Sequence, residues 1–275
     1  MSQSTSDETH HIVSAGVLPY AYSPQSNQIY FLMGQESYNS LWPRHSSRWS
    51  DFGGRVETDE TETQTAAREF IEESLNVVQL STHPTSPTPV LEPISDIQTL
   101  LENKAYTFRI LSRIQYAKEP IWRACYVKRV HWQPHIPRLF QETFEKLHKL
   151  HEMTQNQPPT AALRYYQSLP TWLQQHPAIE IHLCETNPSV RVNSAWLEKQ
   201  QVRWWSMAQI KYVVRNKGKY KKTRFRMGFM TTLERIIQEF DRLDRLYTRI
   251  QPCTYVAEKP PELDKMIMIY HNKKE

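Results

Sequence analysis

Three glutamates, Glu69, Glu72 and Glu73, stand at i, i+3 and i+4 in a stretch of helical periodicity, so their carboxylates gather on one face. Glu62 falls on the same face. Clustered charges of one sign repel unless a cation compensates them. Oxygen donors without His or Cys favour a hard divalent ion, Mg²⁺ or Mn²⁺. Such an ion bridges phosphate oxygens, offsets transition-state charge and lowers the pKa of a bound water. A bare ExxEE is more often the solvated face of a structural helix. Here Gly54, Glu60 and Arg68 precede the carboxylates at set distances. Taken alone, Arg68 is an ordinary surface ion pair that contributes little.

The segment from Gly54, GRVETDETETQTAAREFIEESLN, resembles the Nudix box, G-x5-E-x7-R-E-U-x-E-E-x-G-U, with U a bulky apolar residue. Gly54, Glu60, Arg68, Glu69, Phe70, Glu72 and Glu73 match in one register. Identities of about 5–7 % each, at some 250 starting points, make roughly 10⁻⁵ such matches expected by chance. Two positions depart: Leu75 stands where the family has Gly, and Asn76 where it has an apolar residue. That Gly ends the helix in a left-handed conformation. Asn is the next best residue for the task, so the helix is expected to run one residue further and stop at Asn76.

The resemblance implies a Nudix-type α/β/α sandwich with a mixed sheet. It implies metal-assisted attack of water on the phosphoric anhydride (pyrophosphate) bond of a nucleoside diphosphate linked to another group. Glu69, Glu72 and Glu73 would hold Mg²⁺ or Mn²⁺, Arg68 would orient the glutamates, and Glu60 would lie near the metal as a secondary group. The box does not identify the general base. Glu198, just ahead of the strand-like VRWW, is the candidate, with Glu185 and Glu119 as rivals and a solvated surface carboxylate as the plain alternative.

The elements that must position these residues follow from periodicity. Residues 11–20 (HIVSAGVLPY) and 28–34 (QIYFLMG) are β-rich runs joined by a polar turn with Pro24 and Asn27. Residues 38–50 are loop-like and carry Trp42 and Trp49, either of which is placed to stack on a nucleobase or to anchor the loop on the core. WSDFGGRVE reads as a short strand ending in Gly53-Gly54, a turn with no room for side chains. Residues 61–75 are helical, with Thr63, Ala66, Ala67, Phe70, Ile71 and Ser74 on the face opposite the glutamates. Residues 77–80 look like a strand, and 104–116 with 121–130 like a hairpin. Residues 202–205 are a further strand, followed by a helix from about Met207 and a last amphipathic helix with Phe229, Leu233, Ile236, Ile237 and Phe240 inward.

Residues 132–193 are too long for a connection in a compact domain and have helical spacing, with Leu139, Phe140, Phe144, Leu147 and Leu150 on one stripe. They read as a helical insertion in a domain spanning residues 11–250. It is either a subdomain beside the active site or an embellishment; His148 and His151 on it read as solvated. Residues 1–10 and 251–275 read as a disordered tail and a loosely ordered one.

The net charge is +5, yet residues 199–233 hold ten Lys or Arg and no acid, leaving −5 on the rest. Such a basic arm, Lys219, Lys221 and Lys222 included, points to an anionic partner. RNA, and with it the mRNA cap as the cleaved group, leads on that ground. Small nucleotide derivatives come next, and a catalytically silent Nudix-fold module binding RNA or protein is the third reading. Three scattered cysteines argue against a disulfide framework and for a reducing, cytoplasmic setting. No apolar run approaches the roughly 18 residues of a membrane helix.

Overall fold

The computed structural model describes residues 11–38, 46–80, 91–103, 107–114, 121–182, 189–216 and 225–250. Both tails, Trp42, Glu119, Glu185, Lys219, Lys221 and Lys222 lie outside the described residues.

The centre of the sheet is β1 (Ile12–Ser23), buried along most of its length. One edge pairs antiparallel with β2 (Gln28–Glu36) and, further back, with β4 (Phe52–Arg55). The other edge pairs parallel with β6 (Ile121–Arg129), which pairs antiparallel with β5 (Thr107–Ile114). β2 also carries β3 (Trp49–Ser50) and β9 (Lys199–Ser206). The turn between β1 and β2 puts Asn27 at φ 53, a conformation Asn tolerates better than most residues. Central strands are covered on both sides, so they read as unbroken apolar runs. In β6, Ala124 and Tyr126 enter one core while Cys125 and Val127 enter the other.

The first core lies under α1 (Glu62–Glu73), α2 (Ile94–Glu102) and α3 (Ile136–Asn156). The second lies under α6 (Met207–Arg215) and α7 (Met227–Ile250). This is the α/β/α arrangement with a mixed sheet. Among the described residues no helix is long and apolar enough to cross a membrane.

Residues 132–193 form α3, α4 (Pro159–Gln167), α5 (Thr171–Gln174) and a hairpin of β7 (Ile179–His182) with β8 (Ser189–Val192). They do not stand apart. Ile136, Phe140, Leu147 and Leu150 share one core with Phe52 and Phe70, and Trp204 of β9 donates its indole N–H to Gln133 O (3.0 Å). The expected insertion is thus a continuation of the layer that holds α1. A β7–β8 hairpin and α2 are elements the periodicity did not announce.

Three local expectations are corrected. Residues 77–80 are buried but form no strand: Leu80 N–H donates to Glu92 Oε2 (3.0 Å) and Gln79 O accepts from Gln133 (3.4 Å), so side chains take the bonds a ladder would. Gly53 and Gly54 lie inside β4 rather than in a turn. Their lack of side chains is needed for approach: a Cβ on Gly53 would lie 2.5 Å from Ala15 O, and one on Gly54 would overlap the Glu69 carboxylate.

The third concerns the end of α1, which stops at Ser74. Leu75 N–H donates to Glu72 O (3.2 Å) and Asn76 N–H to Ile71 O (2.9 Å), a Schellman closure with Leu75 itself at φ 54 and Asn76 at φ 49. Leu takes the family's glycine position because its side chain is fully buried in the first core. Leu75→Gly would relieve about 1–2 kcal/mol of left-handed strain but forfeit about 2–5 kcal/mol of packing. The variant is expected to lose roughly 1–3 kcal/mol in urea denaturation, with no gain in turnover. A stabilised or markedly faster variant would show Leu75 to be a defect.

Candidate functional site

The helix carrying the glutamates is set at its start by Thr61 and Gln64, whose side chains each bond the other's backbone N–H (3.2 and 2.8 Å). Behind it, Glu60 grips Arg68 with both oxygens (Nε to Oε1 2.7 Å, Nη2 to Oε2 3.0 Å) and accepts from Thr65 (2.8 Å). The Arg68 hydrogen bonds hold the Glu60 carboxyl down at about 2. So anchored, Arg68 presents Nη1 to Glu69 Oε1 (2.9 Å) and to Glu72 Oε2 (3.4 Å). The path runs from Glu60 through Arg68 to the two carboxylates, and Glu60's own oxygens are taken.

Glu69 and Glu72 are short of positive charge even so. Burial pushes Glu72 up to about 7, with Glu69 and Glu198 adding to the shift against the pull of Arg68. Burial likewise raises Glu69. Glu198 follows the 3₁₀ turn Ser194–Leu197 and faces the same charges. It stays open to solvent, but the surrounding wall, then Glu69 and Glu36, raise its pKa.

Glu73 is different. It is buried, with Oε2 accepting from Gly53 N–H (2.6 Å) and Oε1 3.1 Å from Lys199 Nζ. The Lys199 ammonium, itself fully buried, also bonds Glu36 Oε1 (2.6 Å) and Ser50 Oγ (2.7 Å). Glu36 is further met by Arg226 Nη1 (3.1 Å). Burial alone would raise Glu36, but Lys199 and Arg226 outweigh it and hold the carboxyl below its usual range. The expected trio of ligands is therefore split: Glu69 and Glu72 remain toward Arg68 and Glu198, while Glu73 serves a buried ionic cluster. Among the described residues no three His, Cys, Asp or Glu side chains come together as a metal centre. Glu69 and Glu72, one turn apart and oxygen-only, fit a hard divalent ion in donor chemistry.

A cavity of about 960 Å³ opens beside this cluster, with Glu36, Arg55, Glu198 and Arg226 on its wall. Phe144, His148 and His151 of α3 line it too, so the histidines read as plain surface residues belong to the cavity wall. Trp49 does not: it is buried, with its ring edge-on to Trp205 at 5.3 Å and its carbonyl accepting from Arg226 N–H (3.0 Å). Its role is the loop anchor rather than a stacking surface.

Not every cation of the basic run is free to meet a ligand. Lys199 is interior, Lys211 pairs with Asp241 (2.6 Å) and Arg203 lies over the Trp205 ring (5.2 Å). Arg226, the last of the run, reaches the cavity. The sequence reading counted Lys199 and Arg226 in the basic run but missed their pairing with Glu36, and it missed Ser50 and Arg55. The partners of Glu36 lie 163 and 190 positions away along the chain, too far for any spacing rule.

No protein-family model and no curated protein matches this sequence. Solved structures do. The NUDIX domain of Shewanella oneidensis NrtR complexed with ADP ribose is 14 % identical over 88 % of this chain and 99 % of that one, with a TM-score of 0.36. RenU, a Nudix hydrolase from M. Smegmatis, is 10 % identical over 85 % and 89 % (TM-score 0.38). A C. elegans Ap4A hydrolase binary complex is 16 % identical over 83 % and 98 % (TM-score 0.33). The chemistry of the site rests on this chain's own residues.

Proposed function

We propose that the chain is a divalent-metal-dependent pyrophosphohydrolase acting on a nucleotide derivative, with capped RNA as the substrate its charge favours. The observation that carries the reading is the arrangement around Arg68. A cation anchored by Glu60 holds two carboxylates, Glu69 and Glu72, close enough to feel the charge of Glu198, which lines a nucleotide-sized cavity. Glu69 and Glu72 would hold Mg²⁺ or Mn²⁺, which when bound offsets charge on phosphate oxygens and acidifies a water. Glu198, on the cavity wall and with a carboxyl raised by burial and by the neighbouring Glu69 and Glu36 charges, is the general base. Arg55 and Arg226 on the cavity wall would meet the phosphates.

Capped RNA is favoured over smaller substrates because the basic run ends at the cavity in Arg226. Lys219, Lys221 and Lys222 belong to that run and would bind RNA phosphates beyond the cap. The test is a hydrolysis panel with Mg²⁺ or Mn²⁺ covering capped RNA, a cap dinucleotide and nucleoside diphosphate derivatives. Each phosphate contact on a single strand steepens the log–log salt dependence by about 0.7. Neutralising Lys219, Lys221 and Lys222 together should flatten the slope for capped RNA by about two units and spare the dinucleotide. Equal losses on both substrates would place the lysines at the cavity. No hydrolysis of any member by the parent would leave a binding module.

A further inference from the structure

We propose that the α3 wall of the cavity is a stacking site for a planar heteroaromatic ring, the base of a nucleotide whose phosphates lie toward Arg55 and Arg226. Phe140, Phe144 and His148 follow one another a helical turn apart. Phe144 stacks on Phe140 (6.3 Å, 10° between planes) and on His148 (5.5 Å, 30°). Phe140 is fully buried in the core, Phe144 half-buried and His148 exposed, so the rings form a column that rises from the core to the cavity. A column whose foot is locked by packing presents its last rings without much further loss of freedom on binding. Tyr38, 70 % exposed, lines the same cavity and adds aromatic surface that water solvates poorly.

Charge is distributed to match. The cavity wall carries two guanidinium groups, Arg55 and Arg226, beside the carboxylates Glu36 and Glu198, of which Glu36 is met by Lys199 and Arg226. The α3 residues on the wall, Phe144, His148 and His151, are rings, with Glu152 3.7 Å from His148 Nδ1. A ligand with an anionic end and a flat end satisfies both. The cavity, about 960 Å³, is at the upper end of the range of small-molecule pockets and has room for a nucleotide. Stacking tolerates any base because every base has a π-face, so the site would select nucleotides over phosphates rather than one base over another. This inference rests on the pyrophosphohydrolase reading.

The experiment compares ADP with inorganic pyrophosphate, both with Mn²⁺, by calorimetry on the full chain. His148→Ala changes an exposed side chain and Phe144→Leu keeps apolar volume, so the two variants guard each other against loss of fold. Each is expected to weaken ADP about tenfold and to leave pyrophosphate within twofold. GDP should follow ADP. Unchanged ADP affinity in both variants, or equal loss for ADP and pyrophosphate, would overturn the stacking site. If the parent binds pyrophosphate normally, that failure leaves the hydrolase reading standing. A parent that binds neither ligand would overturn both.

Discussion

Glu72→Gln is expected to lower turnover about 100-fold or more while the protein melts at a higher temperature without metal at pH 8. A Lewis acid contributes several kcal/mol to the transition state, and each 1.4 kcal/mol is about tenfold in rate. Stability moves the other way for a separate reason. The folded-state pKa of Glu72, about 7, lies above its ordinary value of 4.5. The fold therefore favours the protonated carboxyl: its contribution is complete below pH 4.5 and is lost as pH rises through 7. Glutamine copies the protonated form and removes that loss. The parent's metal-free melting temperature should fall between pH 5 and pH 8 more steeply than the variant's, and Mn²⁺ should restore the parent more than the variant. Unchanged turnover would remove Glu72 from the chemistry. Identical pH profiles would show that its charge is not strained in the fold.

Lys199→Met should be the most destabilising of the changes considered. It leaves Glu73 and Glu36, both shielded from solvent, without the ammonium that lies 3.1 and 2.6 Å from their oxygens. Breaking a buried pair from one side costs about 3–5 kcal/mol, because the surviving charge has nothing to offset it. Arg226 remains beside Glu36, so the larger share of the loss should fall on Glu73. Adding Glu73→Gln to Lys199→Met removes that charge and should recover more than half of the lost stability in urea denaturation. Replacing both partners of a buried pair is often close to neutral. A loss below about 1 kcal/mol in the single variant would mean the cluster is solvated in the working protein. Failure of the second change to recover stability would place the cost in Lys199's stem, which packs against Gly34.

The contrast between Glu72 and Glu73 shows where local reasoning stops. They are adjacent in sequence and alike in the box pattern, and one faces Arg68 while the other is closed in by Lys199. Helical periodicity placed α1, its inward face of Ala66, Ala67, Phe70 and Ile71, and the gathering of carboxylates, since a helix repeats within four residues. The same logic found β1, β2, β6, β9, α3 and α7, whose apolar patterns are long. It failed at residues 77–80, where side-chain bonds from Glu92 and Gln133 replaced a strand partner, and at Leu75, where burial overrode the preference for glycine.

By itself, then, the sequence determined the helix with its glutamates, a consequence of spacing along one element. The layered architecture was what the resemblance of the box implied, and Glu60, expected near the metal, binds Arg68 with both oxygens. Only the tertiary structure decided which glutamates stay available. It brought Glu36 to Lys199 across 163 positions of chain, buried Trp49 against Trp205, and turned Phe144 and His148 of a supposed insertion toward the site. The physical reason is that burial and charge pairing depend on what other segments deliver to a point in space, and no residue's immediate neighbours carry that information.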